Sequence, residues 1–210
     1  MAEARKEPAV NGTRARGRPR LDIDLDAVAD VVADLYAEGG RDAVSIPDAA
    51  ERLSVSRATL YRAVSTKEDL LGILFERGTR ELTERAHAVL DEFAKPRDRL
   101  REMIQLQVDA AIRMRLYMPV FFGGGDLPPD VVARWHRWSR EYEGLWVVVV
   151  TQAMQAGDLD KADPVVVARL LLGMCIWISR WYRPDGPYDA QMITDAAISL
   201  TRVGPASLPG

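Results

Sequence analysis

The sequence has few of the residues that build disulfides, metal clusters and catalytic pairs. It contains one cysteine, Cys175, and two histidines, His87 and His136, among 210 residues. One cysteine cannot form an internal disulfide, and this set is too small for a Cys/His metal cluster or a Cys–His nucleophile pair. We therefore expect no metal ligands, no cofactor and no catalytic residues.

Long apolar runs and phosphate-binding loops are missing as well. The longest uncharged apolar stretch, Leu170 to Ile178, is shorter than the roughly 18–20 residues that cross a bilayer, and the N-terminus is polar. The glycine-rich segment at 123–126 lacks the Gly-Lys-Ser/Thr ending of a phosphate loop. His136 and Ser139 lie on one helix turn, with no evident carboxylate to orient them and no oxyanion loop. We expect a cytoplasmic protein that is neither membrane-bound nor an enzyme.

What the sequence does have is an uneven charge. Hydrophobic residues make up 48% and charged residues 28%, an ordinary globular composition. The net charge is −3, but residues 1–20 carry +4, so the remaining chain carries −7. A basic arm before an acidic body typically binds a polyanion, although composition alone also fits a solvated tail. We expect residues 1–22 to be a flexible basic arm.

The apolar residues recur at helical spacing, and no segment alternates as a strand does. We predict an all-α protein, in which an N-terminal three-helix domain at 23–88 is joined by a long fourth helix to an antiparallel helical bundle at 89–210. A first helix ends at Gly39-Gly40. The other predicted helices span residues 45–53, 57–64, 67–90, 97–116, 130–155, 164–182 and 189–202.

The second and third helices form a predicted helix-turn-helix over Ser45–Val64. Such a motif places a short helix in the DNA major groove and holds its apolar side against the preceding helix. Arg57 and Thr59 are placed to read base edges. Tyr61, Arg62 and the start of the next helix at Thr66-Lys67 are placed to hold phosphates. The alternative is two packed helices with solvated charges. The predicted contacts to double-stranded DNA are Ser45, Ser56, Arg57, Ala58, Thr59, Tyr61, Arg62, Thr66 and Lys67.

The basic arm contains the sequence Arg-Gly-Arg-Pro-Arg at 16–20. This core is like that of an AT-hook, which lies extended in a narrow, A·T-rich minor groove. We expect Arg16, Arg18 and Arg20 to contact the minor groove. The alternative is a nonspecific electrostatic tail.

The segment Ser45-x-x-Asp-Ala-Ala-x-x-Leu-Ser-Val-Ser-Arg-Ala-Thr-Leu-Tyr-Arg, followed by Lys67-Glu-Asp-Leu-Leu, resembles the DNA-binding segment of the TetR (tetracycline-repressor) family. The resemblance covers residues 25 to about 85. It implies a homodimeric repressor whose variable all-α C-terminal domain binds a small effector and thereby spreads the two recognition helices. Ser54 departs from the family pattern, which usually has a turn glycine there.

A second resemblance lies near the C-terminus. Trp177-x-x-Arg-Trp-Tyr-Arg-Pro-Asp-Gly-Pro is similar to a segment of TetR-type repressors of fatty-acid and steroid-ring catabolism, and Trp135 to Leu159 shows a looser likeness. It implies an acyl-CoA thioester or a related lipid acid as effector. The alternative is a multidrug- or antibiotic-responsive regulator of efflux with the same DNA-binding head.

Aromatic and methionine residues of the C-terminal half are suited to line an elongated apolar cavity. For each of them, ordinary core packing is the alternative. The expected effector-binding residues are Gln107, Met114, Met118, Phe121, Phe122, Trp138, Tyr142, Trp146, Trp177, Arg180 and Trp181.

The helix at 164–182 is apolar nearly all round, so it must be buried on both sides, by its own domain and by a partner subunit. We expect the last two helices to form a homodimer interface that includes Leu171, Cys175, Ile178, Met192 and Ala196. Two heads would then read the half-sites of a near-palindromic operator. A nucleoid-type DNA protein, which binds without a palindrome, is a further alternative.

Overall fold

The computed structural model describes residues 23–118 and 128–201, and within these ranges the chain forms eight α-helices and no strand. The prediction of an all-α protein is confirmed. The helices are α1 (Leu25–Ala43), α2 (Ile46–Arg52), α3 (Arg57–Leu60), α4 (Lys67–Glu92), α5 (Pro96–Arg113), α6 (Pro129–Ala156), α7 (Pro164–Trp181) and α8 (Ala190–Leu200).

Three predicted helix ends differ from the structure by three residues or more. The predicted end of α1 at Gly39-Gly40 is a break with a positive φ of 67° at Gly40, after which one more turn runs to Ala43. Regular helix ends at Leu60 in α3 and continues as a turn towards Val64. Helix α5 ends at Arg113 rather than 116, because the backbone of the next residue leaves helical geometry. At the ends of α3 and α5 the chain continues as a tighter turn, which the periodicity of the side chains does not show.

Helix starts follow the local sequence closely. Side-chain oxygens at the N-cap positions accept hydrogen bonds from the first backbone N–H groups, which otherwise lack partners. Helix α6 ends at Gly157, whose φ of 80° suits a residue without a side chain. The residues that cap in this way are Asp24, Ser45, Ser56, Thr66, Asp163 and Asp189.

Helices α1 to α4 enclose an N-terminal core. Its buried side chains include Val32 of α1, Leu60 of α3 and Leu74 of α4. Ion pairs from Arg77 to Asp30 and from Arg80 to Asp26 fasten α4 to α1 outside this core. The N-terminal part formed by α1 to α4, which we call the head, is therefore held together by packing and ion pairs around α4.

A second, larger core lies among α5, α6, α7 and α8. It begins on α4 at Leu82, two turns after the last buried residue of the first core at Leu74. Helix α4 thus belongs to both cores. The predicted division at residues 88 and 89 falls near the end of this shared helix and remains a prediction.

Helix α7 is the one described helix whose length and apolar composition would suit a membrane span. Its buried face, however, packs in the C-terminal core through Ala168, Leu171 and Cys175. Two arginines, Arg169 and Arg180, lie within it as well. We interpret α7 as a core helix with an uncovered outer face, on which Leu170 is 67% exposed.

Candidate DNA-binding surface and effector cavity

The turn between α2 and α3 brings the two helices of the predicted motif together. Ser54 adopts a φ of 54°, and the Val55 N–H donates to the Ala50 carbonyl oxygen at 3.0 Å. Leu60 and Val64 are buried against the head. This packing fixes which side of α3 faces outward.

The outward side of α3 carries the residues expected to touch DNA. Arg57, Ala58, Tyr61 and Arg62 are exposed, with Tyr61 51% accessible. The Thr59 hydroxyl lies 2.7 Å from Ser56 Oγ and accepts a hydrogen bond from Arg62 at 3.3 Å. Arg57 makes no ion pair or hydrogen bond through its guanidinium with residues 23–118 or 128–201, so it is available to a base edge.

Three of the predicted DNA contacts use their hydroxyls as helix caps. Ser45 accepts from Asp48 N, and Ser56 accepts from Thr59 N. Thr66 forms a full capping box with Asp69 at the start of α4, beside the half-buried Lys67. These residues therefore position the backbone of the surface that we expect to face DNA. Arg16, Arg18 and Arg20 lie outside the described residues.

A cavity of about 300 Å³ opens between α4, α5, α6 and α7. Its wall is mostly apolar and aromatic, with the Trp138 and Tyr142 rings stacked at 5.1 Å and the Trp138 indole donating to Thr83 at 2.9 Å. The described lining residues are Phe75, Thr79, Leu82, Gln107, Met114, Met118, Trp135, Trp138, Ser139, Tyr142, Glu143, Arg169, Leu172, Gly173 and Ile176.

Two polar pairs belong to this wall. The buried Tyr142 hydroxyl donates to Gln107 Oε1 at 2.9 Å, and burial raises the pKa of Tyr142, so the phenol stays neutral. Arg169 binds both carboxylate oxygens of Glu143, at 2.9 and 3.0 Å. The first pair is buried in the wall, whereas Arg169 is exposed and brings its charge to the solvent side.

The structure brings five of the expected effector-binding residues together around this cavity, namely Gln107, Met114, Met118, Trp138 and Tyr142. The expectation is corrected for Trp146, which has 0% exposure in the core and is not part of the described wall. It is also corrected for Trp177, Arg180 and Trp181, which are exposed on α7 outside the cavity. Phe121 and Phe122 lie outside the described residues.

Sequence reasoning missed the walls contributed by α4 and α7. The helical spacing of Phe75, Thr79 and Leu82, and that of Arg169, Leu172 and Ile176, puts each set on one helix side. This spacing also fits ordinary core packing. Only the tertiary arrangement shows that both sides face the same space.

A second concave surface lies on the outer side of α7 and α8. This groove has a volume of about 490 Å³ and is lined by Met174, Trp177, Ile178, Trp181, Tyr188, Met192, Ile193, Ala196, Ala197 and Leu200. Of the predicted interface residues, Ile178, Met192 and Ala196 line it. The prediction is corrected for Leu171 and Cys175, which pack into the core of their own chain and leave little or no surface for a partner.

Tyr117 connects the cavity region with the head. It follows Met114 and precedes Met118, which both line the cavity, and its ring meets that of Tyr36 on α1 edge to face at 6.4 Å. It packs against both cores. A Cβ on Gly78 of α4 would lie 2.9 Å from Met114 Cε, so the glycine permits this close approach.

These features define a helix-turn-helix transcriptional regulator with a separate helical domain. A sequence model of bacterial regulatory proteins of the TetR family matches residues 30–72, and one of the tetracyclin repressor-like C-terminal domain matches residues 94–204. The chain belongs to the TetR family.

Relatives and solved structures agree with this assignment. The chain is 22% identical over 182 residues to the HTH-type transcriptional repressor KstR2 of Mycobacterium tuberculosis (strain ATCC 25618 / H37Rv), covering 83% of this chain and 89% of the relative. The fold matches a TetR/AcrR family regulator from Thermobifida fusca with a TM-score of 0.74 at 25% identity, covering 84% and 95% of the two chains. It also matches AibR in complex with isovaleryl coenzyme A and operator DNA, with a TM-score of 0.70 at 24% identity and coverage of 84% and 96%.

Proposed function

We propose that this protein is a homodimeric transcriptional repressor of the bacterial cytoplasm, which binds a near-palindromic operator and is released by a hydrophobic effector. The observation that carries the proposal is the coexistence, in one chain, of an exposed α3 face and an apolar cavity linked by Tyr117. Residues 23–88 serve as the DNA-binding part and residues 89–210 as the effector and dimer part, with the arm at 1–22 adding minor-groove contacts.

The outer face of α7 and α8 is the proposed dimer interface. Leu170 and Trp177 of α7 and Met192 of α8 are each more than half exposed. A contiguous apolar surface of this kind on a water-facing protein marks an interaction site. A two-fold axis through it would make the same patch self-complementary and set two heads side by side.

The effector is proposed to be an acyl thioester. The wall is apolar, and the volume of the cavity is at the lower end of the range for small-molecule pockets. A cavity of this size suits an acyl group whose coenzyme A part stays outside. The AibR structure with isovaleryl coenzyme A and the KstR2 relatives support this class.

Coupling between the two sites is proposed to run through Tyr117. A ligand that displaces Met114 or Met118 shifts the turn that carries Tyr117, whose ring packs against Tyr36 of the head. The effector releases DNA only if it binds more tightly to an arrangement of the heads that does not fit the half-sites.

A regulator of efflux that binds organic cations is the other candidate. Glu143 among aromatic rings would favour it, since such rings and a carboxylate attract cations. Arg169, however, occupies both carboxylate oxygens of Glu143. This pairing favours a neutral or anionic effector.

The operator claim is tested by selecting bound duplexes from random DNA with the purified full-length protein at near-physiological salt. We expect enrichment of a near-palindrome with half-sites about one helical turn apart, or a multiple of it. Enrichment of A·T-rich tracts alone would refute the specific operator and show that the arm dominates binding.

A further inference from the structure

The cavity wall contains one polar group that its neighbours do not use. Gln107 of α5 is 2% exposed, and its Oε1 accepts a hydrogen bond from the Tyr142 hydroxyl. Its Nε2 group makes no hydrogen bond with residues 23–118 or 128–201. Because Gln107 lines the cavity and is almost fully buried, this amide donor is available to a ligand in the cavity.

Tyr142 donates a hydrogen bond to Gln107 and lies beside a second buried ring, Trp146. Its buried indole N–H has no hydrogen-bond partner in the described part of the chain. Because the Tyr142 hydroxyl donates to it, the Gln107 amide oxygen is occupied. The Gln107 amide N–H groups are left as donors at the wall.

The other polar lining groups have partners or reach solvent. Thr79 donates to the carbonyl oxygens of Phe75 and Glu76 at 3.0 and 3.1 Å, and Ser139 is half-buried. Arg169 is exposed and is engaged with Glu143. Within the described wall, no unpaired cation lies at the buried end, so a carboxylate placed there would lose its hydration without compensation.

We propose that the buried part of the effector carries an uncharged oxygen acceptor, a ketone or thioester carbonyl, to which Gln107 donates a hydrogen bond. This inference rests on the proposed function because it concerns the same cavity. It narrows the effector from any hydrophobic acyl group to one that places a carbonyl oxygen beside Gln107. Tyr142 is a positioning residue that holds the Gln107 amide in the donating orientation.

Three coenzyme A compounds of similar size test the proposal by calorimetry on the full-length protein. Cyclohexanecarboxyl-CoA has the thioester carbonyl, its 4-oxo derivative adds a ring ketone, and the S-cyclohexylmethyl thioether lacks both. If Gln107 binds the ring ketone, the 4-oxo compound binds about tenfold more tightly than the parent thioester. If it binds the thioester carbonyl, the thioether binds about tenfold more weakly than both thioesters.

Variants show whether Gln107 causes the preference. Gln107→Leu, or Gln107→Met if the first folds poorly, is expected to remove it. Thr79→Val is the matched control, because it deletes a lining hydroxyl that bonds only to its own helix, and should keep the preference.

The outcomes separate this inference from the proposed function. Equal binding of all three compounds to the unmodified protein, or a preference that survives in both Gln107 variants, overturns the inference and leaves the acyl effector standing. Binding of none of the three refutes the acyl-thioester effector, and the inference fails with it.

Discussion

The head and the C-terminal domain place their functional residues in opposite ways. In the head, the residues expected to contact DNA fall within Ser45–Lys67, and their orientation is set by caps and turns a few residues apart. In the C-terminal domain, the cavity wall extends from Phe75 to Ile176 and draws on four helices. A surface site can therefore be specified by residues close together in sequence, whereas an internal cavity depends on packing between helices that are distant in sequence.

The proposed dimer surface gives the strongest test of that comparison, because a single head would contact only one half-site of the proposed operator. Leu170→Glu combined with Trp177→Glu places two charges on the exposed face of α7, and we expect a monomer with operator affinity reduced more than 100-fold. Sedimentation and operator titration measure both effects. Leu25→Glu, at an exposed apolar site in the head, should leave the dimer intact. A dimeric double variant would exclude α7 as the interface.

The local encoding of the head is tested at α3. Arg57→Ala and Tyr61→Ala should each lower affinity for the selected operator by about 10- to 100-fold while leaving the melting temperature and the dimer unchanged, because both side chains are exposed. Arg97→Ala is the control for loss of an exposed positive charge in the other domain. Unchanged operator affinity in both head variants would refute the assignment of α3 as the recognition helix.

The link between the regions is tested at Tyr117. Tyr117→Ala removes the ring that meets Tyr36, and we expect the effector to lower operator affinity about tenfold less than in the unmodified protein. Tyr117→Phe keeps the ring and should keep the response. The measurement is operator affinity with and without saturating acyl-CoA. Equal responses in both variants would remove Tyr117 from the coupling.

The buried thiol of Cys175 in the C-terminal core predicts an effect of pH on stability. Burial raises the pKa of Cys175 to about 12, so the folded protein keeps a proton that the unfolded chain releases above its ordinary pKa near 9. The contribution of this thiol to the free energy of unfolding is therefore fully present below pH 9 and is lost as the pH rises. Between pH 9 and 10 the free energy of unfolding falls by about 1 kcal/mol because of this thiol. Urea unfolding measures it. An identical pH slope in Cys175→Ala would contradict the assignment.

The smallest expected effect lies in the helix-turn-helix turn. Ser54 adopts a φ of 54°, a region that disfavours residues with a Cβ. Ser54→Gly should raise the free energy of unfolding by about 0.5–1 kcal/mol, whereas Ser54→Ala, which keeps the Cβ, should not. A stabilised Ser54→Ala or a destabilised Ser54→Gly would show that backbone strain at this turn is absent.

Helix caps and helix-ending glycines account for the helix boundaries that could be predicted from the sequence. The caps at Ser45, Ser56 and Thr66 fall where the sequence indicates, and Gly157 ends α6 as expected. The break at Gly40 did not end α1, since a glycine permits a kink without requiring a stop.

The cavity could be predicted only in part, because aromatic residues at helical spacing suit a pocket wall and a core equally. Trp138 and Tyr142 line the cavity, whereas Trp146, one turn later on the same helix side, is buried in the core. Trp177 and Trp181 of α7 face outward instead. Which neighbour covers each ring is decided by helices distant in sequence.

We propose that an effector bound in the cavity weakens operator binding by the dimer. The most direct measurement is the affinity of the full-length protein for its selected operator, with and without cyclohexanecarboxyl-CoA at a concentration that calorimetry shows to be saturating. We expect at least a tenfold loss of affinity, and a smaller loss at the same concentration in Gly173→Leu, which adds a side chain to the cavity wall. An operator affinity that is unchanged or increased by the bound thioester would refute release of the repressor by the effector.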